Sequence, residues 1–368
     1  MYYLEWKERI ERFWRSSIQG LGLPKPERVA IDIGAANTRI FQPGIGVVIN
    51  EPSVIAYDTE TGKVAAAGQE AKTLVRRKPR NIRIMRPTRD GVIADCEVAG
   101  QMLAQFLRRV LMSHGLTSLS TLICVPAEIT PLEQKAYEDA AIRAGAKKVT
   151  LIEAVYAASV GAGLNLRSSC ASMMVDLGAA TTDVAVTSGG AVLHASTQRI
   201  GGNEIDRSIL RYLRMERALE VSEETAEDIK IKLGRIDSEC EKGTMTVRGR
   251  NLKTGLPEEN TIAAEEIQPL IQPVLRIVKQ HMRTALEEIP TGSLVDLLDT
   301  GITLSGGLAQ LPGLSGFLNQ EFGLRVDVAP DPILSATLGA GRLIEDETEV
   351  TTQEVMKEQE SISRFIVG

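Results

Sequence analysis

Apolar residues at Tyr3, Trp6, Ile10, Phe13, Trp14, Ile18 and Leu21 recur every three or four positions, which predicts an opening helix with one apolar face. Glu5, Glu8, Arg9, Arg12 and Arg15 fall on the other faces, and Gly20, Gly22, Pro24 and Pro26 end the helix in a linker. The period then changes. Arg28-Val-Ala-Ile-Asp-Ile-Gly reads as a strand running into a glycine turn, and Thr38-Arg-Ile-Phe as its return, so 28–41 is a hairpin with a small polar tip. More short strands follow over 45–67, with Thr59-Glu-Thr-Gly62 as a turn, and then a helix near 97–113. A buried strand at 121–125 stops at Pro126. Thr130-Pro-Leu-Glu133 resembles a capping box and starts a helix ending near Gly145. A strand at 148–152 leads into an Ala-rich helix at 154–163.

The opening pattern then returns. Ile31-Asp-Ile-Gly-Ala-Ala-Asn-Thr and Val175-Asp-Leu-Gly-Ala-Ala-Thr-Thr match nearly residue for residue, and the second again sits between two strands, over 172–186. Internal duplication outweighs any local signal in choosing a fold. It predicts two related α/β halves, each opening with the same hairpin. Helices at 203–217 and 222–234, a strand pair around 244–262 and a helix at 264–288 come next. Asp299 to Gly307 reads as a strand ending in a glycine turn, followed by a helix at 311–321, a strand at 324–328 and a helix at 333–345. The last stretch, 345–368, is charged and reads as a frayed helix.

Composition narrows the class. The 368 residues carry 43% apolar and 24% charged side chains, ordinary for a globular protein of about two domains. A net charge of −6 argues against a general nucleic-acid binder. No apolar run reaches the ~18 residues of a spanning helix, and Glu5, Lys7, Glu8 and Arg9 stand where a signal peptide would place its apolar core. Cys96, Cys124, Cys170 and Cys240 are scattered without a CxxC pair, as reduced cytosolic thiols are, and show no zinc spacing. His114, His194 and His281 are not clustered in the sequence, which argues against histidine-based metal or triad chemistry.

The duplicated Asp-x-Gly hairpins carry the chemistry. A small tip lets backbone N–H groups point inward and form an anion-binding concavity. An aspartate just before the turn can hold a divalent cation through water. Two such hairpins facing each other would clamp a polyphosphate, with Asp32 and Asp176 converging on one Mg2+. The later turn Ser305-Gly306-Gly307-Leu308 would bring backbone close to a base or phosphate. Glu227 and Lys230, at i and i+3 of one helix, could grip a ribose hydroxyl and an adenine edge, or form a plain solvated helix pair.

These elements in this order resemble the actin-like ATPases, the superfamily of actin, sugar kinases and heat-shock chaperone ATPase domains. The resemblance to the bacterial MreB family is closer and covers roughly 28–345. It is carried by Asn50-Glu-Pro-Ser-Val-Ile-Ala, Arg86-Pro-Thr-Arg-Asp-Gly-Val-Ile-Ala-Asp95, Leu151-Ile-Glu, Gly161-Ala-Gly-Leu, Arg199-Ile-Gly-Gly, Thr225-Ala-Glu-Asp-Ile-Lys230, Val247-Arg-Gly-Arg-Asn-Leu and Leu304-Ser-Gly-Gly, besides the two hairpins.

The resemblance implies a duplicated actin-like ATPase fold, two α/β halves in four subdomains around a cleft for ATP and Mg2+. On it the chain divides into an amphipathic helix and linker (1–27), a first domain (28–170, with a small insertion near 55–95), a second domain (171–345, with an insertion near 203–262) and a charged tail (346–368). Ala35, Ala36 and Asn37 become the first phosphate tip, and Gly178, Ala179, Ala180 and Thr181 the second. Glu227, Asp228, Ile229 and Lys230 take ribose and adenine, Ser305, Gly306, Gly307 and Leu308 line the nucleotide, and Asp32 and Asp176 hold Mg2+ through water. The implied function is a cytoplasmic protein that polymerises with itself into paired protofilaments at the inner face of the plasma membrane. There it serves cell shape or intracellular positioning, alongside cell-wall elongation proteins and without nucleic acid.

The sequence departs from that pattern at the chemistry. Relatives read Ile-Glu-Glu-Pro where this chain reads Ile152-Glu153-Ala154-Val155, so the acid that orients the attacking water is replaced by Ala154. Thr181 and, next in sequence, Glu153 are the remaining catalytic candidates. Ala35 stands for a usual Thr, Ala179-Ala180 for Gly-Gly, Asn203 for Asp and Leu308 for Gly. Nucleotide binding is therefore expected with weak hydrolysis. The alternatives are a non-hydrolysing adaptor that co-assembles with a true MreB, and a small-molecule kinase of the same superfamily, for which no catalytic aspartate is evident. Trp6, Phe13 and Trp14 suit a membrane-surface helix, while docking on the body or a partner suits any amphipathic helix.

Overall fold

Alternating burial along Asn37–Gln42 and near-continuous burial along Thr182–Ser188 show what the two hairpins do: each crosses the middle of a sheet. The computed structural model describes residues 27–77, 79–110, 119–236 and 243–345. The helix predicted over 1–23, with Trp6, Phe13 and Trp14, and the tail after 345 lie outside the described residues, as do His114 and Cys240.

Two five-stranded sheets share one topology. In the first, Glu27–Ile33 runs antiparallel to Asn37–Gln42, which runs antiparallel to Gly46–Pro52. On its other side Glu27–Ile33 pairs in parallel with Leu119–Val125, and that strand with Ala146–Glu153. In the second, Ser172–Leu177, Thr182–Ser188 and Ala191–Gln198 form the antiparallel meander, with Ile302–Ser305 and Val326–Val328 as the parallel strands. The duplication seen in the sequence is thus a duplication of strand order and direction.

Smaller sheets decorate each half. Val64–Ala67, Ile55–Asp58 and Ile82–Met85 form one, and Leu219–Glu220, Thr244–Asn251 and Pro257–Ala263 another. The helix Pro131–Arg143 begins as its sequence predicts: Glu133 N donates to Thr130 Oγ1 (3.2 Å) and Thr130 N to Glu133 Oε2 (2.8 Å), a reciprocal cap.

Some elements differ from the sequence-based expectation. A helix at Gln69–Arg77 goes unannounced by the pattern, because its nine residues hold only three apolar side chains, Ala71, Leu74 and Val75. The strand expected from Asp299 starts only at Ile302, since 299–300 close the helix Thr291–Thr300. The helix expected from 311 starts at Leu314 and runs to Phe322, after a 3-10 turn at Gly307–Gln310.

Each sheet has its own core, and a third apolar cluster joins them. Ala30, Phe41, Cys124 and Ile152 of the first sheet meet Met174, Ala185 and Val192 of the second through the helices Ala154–Gly161 and Ser335–Glu345. These two helices cross with almost no side chain between them. A Cβ on Gly161 would stand 1.9 Å from Ser335 O, and one on Gly339 would stand 1.7 Å from Ala157 O. Both contacts are with backbone, which cannot yield as a side-chain tip can. We expect Gly339→Ala to lose on the order of 2–4 kcal/mol in urea unfolding, as overpacking in a rigid contact does; a variant as stable as the parent would show that the crossing is loose.

Candidate functional site

The hairpin tips meet across a cleft between the two sheets. Asp32 and the tip Ala35, Ala36 and Asn37 line one wall. Asp176 and the tip Gly178, Ala179, Ala180 and Thr181 line the other, and Gly306 and Gly307 close an end. The tips are as narrow as the sequence suggested. Gly34 N donates to Asn37 O (3.0 Å) and Gly178 N to Thr181 O (2.8 Å), tight turns on which an added Cβ would meet backbone oxygen at 2.7 Å and 3.1 Å. Gly306 has φ +83°, and a Cβ there would meet Leu177 O at 2.2 Å; only glycine fits that turn.

The remaining sequence-predicted residues are not brought to the cleft wall. Ser305 is buried and donates to Asp176 Oδ1 (2.7 Å), while Leu308 is buried in the second core. Ile229 is fully buried in the same core and has no face for a ligand. Lys230 Nζ pairs with Asp206 Oδ2 (2.8 Å) and lies against Gly202. Gly202 N and Asn203 N in turn donate to Gly178 O (3.1 Å) and Ala179 O (2.7 Å). Lys230 therefore braces the second tip from behind. Glu227 and Asp228 share its helix, outside the cleft lining.

The junction at Ala154 is informative. Ala154 lines the cleft, whereas Glu153 is 1% exposed and both its carboxylate oxygens lack a hydrogen-bond partner among the described residues. Burial, then the charges of Asp183 and Glu128, push its carboxyl up to about 7. Thr181 does line the cleft, and its methyl packs against Gly91 of the first half, where a Cβ would stand 2.2 Å away.

Several cleft residues escaped sequence reading. Asp183 is buried, accepts from Ala127 N (3.2 Å) and from Thr197 Oγ1, and so ties the second ribbon to the first half. Arg39 pairs with Asp32, Nη1 to Oδ2 at 2.9 Å. Asp176 is pushed up to about 7, first by burial and then by the charge of Asp183, against the bond from Ser305. The histidines are not dispersed after all. His194 Nε2 lies 2.7 Å from Ser196 Oγ, which lies 3.5 Å from His281 Nε2, because the strand Ala191–Gln198 packs on the helix Ala264–Glu287. Burial lowers the pKa of both rings. Among the described residues, no three His, Cys, Asp or Glu side chains form a metal-binding group. Asp32 and Asp176, each bonded through one oxygen on the wall of one cleft, suit instead a hydrated cation reached through water.

The raised Glu153 has a defined consequence. An unfolded glutamate titrates near 4.3, so from about pH 4.5 to 7 the folded chain holds a proton that the unfolded chain has released, and stability falls as pH rises through that window. In Glu153→Gln this contribution is absent. Its stability relative to the parent should increase between pH 5 and pH 8 by on the order of 2–3 kcal/mol in urea unfolding. Identical pH dependence in both proteins would mean that Glu153 is already ionised in the fold.

With this geometry in view, comparison with known proteins is direct. A family profile described as MreB/Mbl protein matches residues 26–352. The chain is 39% identical over 318 residues to the cell shape-determining protein Mbl of Bacillus cereus, covering 86% of this chain and 96% of that protein. It is 39% identical over 322 residues to the cell shape-determining protein MreB of Escherichia coli, covering 86% and 93%. The crystal structure of MreB5 of Spiroplasma citri bound to ADP superposes with a TM-score of 0.82 at 30% identity, over 88% of this chain and 98% of that one. The fold is therefore actin-like, with two related α/β halves, and the chain belongs to the MreB/Mbl family.

Proposed function

We propose that this protein is a cytoskeletal member of its family that binds ATP in the cleft, polymerises with itself, and hydrolyses the nucleotide slowly. The observation that carries this reading is that both Asp-x-Gly tips and both aspartates line one cavity. Narrow turns that leave backbone N–H groups accessible suit phosphate oxygens, and the related MreB5 was crystallised with ADP. Magnesium, when bound, supplies phosphate neutralisation, and Asp32 and Asp176 are the residues to hold it through water. The resemblance gives ribose and base to Glu227 and Lys230, on the helix behind the second tip. It also divides the chain into domains at 28–170 and 171–345, with the insertions as the two smaller subdomains.

Weak hydrolysis follows from Ala154. Positioning the attacking water is a main part of phosphoryl transfer, and here a methyl faces the cleft where a carboxylate is needed. Glu153 is buried and lies outside the cleft lining. The same methyl favours a second reading, a non-hydrolysing partner that co-assembles with a hydrolysing relative.

Location and assembly rest on the family. The reading is of a cytoplasmic filament of paired protofilaments, peripheral at the inner membrane surface through Trp6, Phe13 and Trp14, working beside cell-wall elongation proteins. Two measurements test these statements. Phosphate release by Ala154→Glu should exceed that of the parent by about a hundredfold or more, the lower part of what one positioned base contributes; a parent that already turns over ATP as fast as the variant contradicts the assignment. In liposome flotation the full chain should rise with vesicles and a chain lacking residues 1–23 should not, whereas equal flotation removes the membrane role.

A further inference from the structure

The cleft wall has an unusual charge pattern. Among the described residues lining it, Asp32, Asp176 and Asp183 are acids and Arg39 is the one cation. A polyphosphate entering this wall would meet carboxylates first, so something positive must offset them. Arg39 is placed to do so. It stands opposite Asp32 in the strand register of the first ribbon, so both side chains project from the same face. Its Nη1 lies 2.9 Å from Asp32 Oδ2, and only 15% of its side chain is exposed. The same Nη1 would lie 3.9 Å from a Cβ on Gly34, which puts the guanidinium over the first tip.

One carboxylate does not satisfy a guanidinium. Arginine has five N–H donors, and Arg39 Nε is buried with no hydrogen-bond partner among the described residues. A planar fork with spare donors, held beside backbone N–H groups, is the chemistry that grips phosphate oxygens bidentately. Its charge also reaches the far wall, where it opposes the upward shift of Asp176. Arg39 is thus the one cationic side chain lining the cleft among the described residues, where a divalent cation would otherwise carry all the neutralisation.

We propose that Arg39 is a phosphate-binding residue of this cleft: a resident cation, paired with Asp32, that meets the phosphates of a nucleoside di- or triphosphate and reduces the dependence of binding on magnesium. This rests on the reading of the cleft as a nucleotide site and adds a residue and an ion dependence to it.

The test is equilibrium titration of the full chain with a fluorescent ATP analogue, in excess magnesium and again in EDTA. The parent should weaken by less than about tenfold on removing magnesium. In EDTA, Arg39→Leu should weaken about 10- to 100-fold relative to the parent, the span of a charge-assisted hydrogen bond, and in magnesium by less. Arg39→Lys keeps the charge without the fork and should fall between them. Circular dichroism melts check that the variants fold; should the Leu variant unfold, the Lys variant and the parent's own magnesium dependence still decide. A parent that binds only with magnesium, or an Arg39→Leu protein that binds like the parent in EDTA, overturns the role of Arg39 while leaving the nucleotide site intact. A parent that binds under neither condition overturns both.

Discussion

Two helices that cross with no side chain between them determine the cleft. Gly161 and Gly339 place backbone against backbone, and the small side chains of Ala157, Ala158, Ala336 and Ala340 fill the rest of the contact. Each helix belongs to a different stretch of chain, yet both pack between the two sheets. Their closeness therefore sets how far apart the sheets stand. Because the hairpin tips project from the middle strands of those sheets, the same spacing brings Asp32 and Asp176 to one cavity.

The electrostatics of the cavity follow from that spacing. Burial, and then the charge of Asp183 opposite it in the same ribbon, raise the carboxyl of Asp176. Asp183 is held by Thr197 Oγ1 and Ala127 N and acts as a structural tie across the halves. Glu153, next to the cleft, is turned inward among the same acids. What remains at the wall is well suited to hold phosphates and poorly suited to orient water: narrow backbone turns, two aspartates, one arginine, and a methyl at Ala154. On the proposed function, binding and chemistry separate in this chain at a single position, Ala154.

Much of this was legible in the sequence because the duplicated ribbons repeat a motif with strong local constraints. Strand periodicity, Asp-x-Gly and small tips survive in any context, and Thr130 with Glu133 is a local cap. The rest depends on tertiary contact. The helix Gln69–Arg77 offers only Ala71, Leu74 and Val75 as apolar positions, too short a run for a periodic signal. His194 and His281 are far apart in sequence and meet only because a strand packs on a long helix. Lys230 has the right helix spacing for a ligand, and its pairing with Asp206 from a neighbouring helix is a tertiary contact that no local pattern announces. Arg39 looked like a strand residue, since nothing local says which face of the ribbon will form a cleft. Its registry with Asp32 was the available clue: once the hairpin is drawn with its tip at 34–37, Arg39 and Asp32 stand opposite each other.

The central claim is that two facing tips hold one ligand between them. Hydrogen–deuterium exchange on the full chain, with and without ATP and magnesium, reads that directly. The account requires the amides of 33–38 and of 177–182 to slow together when nucleotide is added. Protection of one tip alone, or of neither while nucleotide is bound elsewhere, would contradict it.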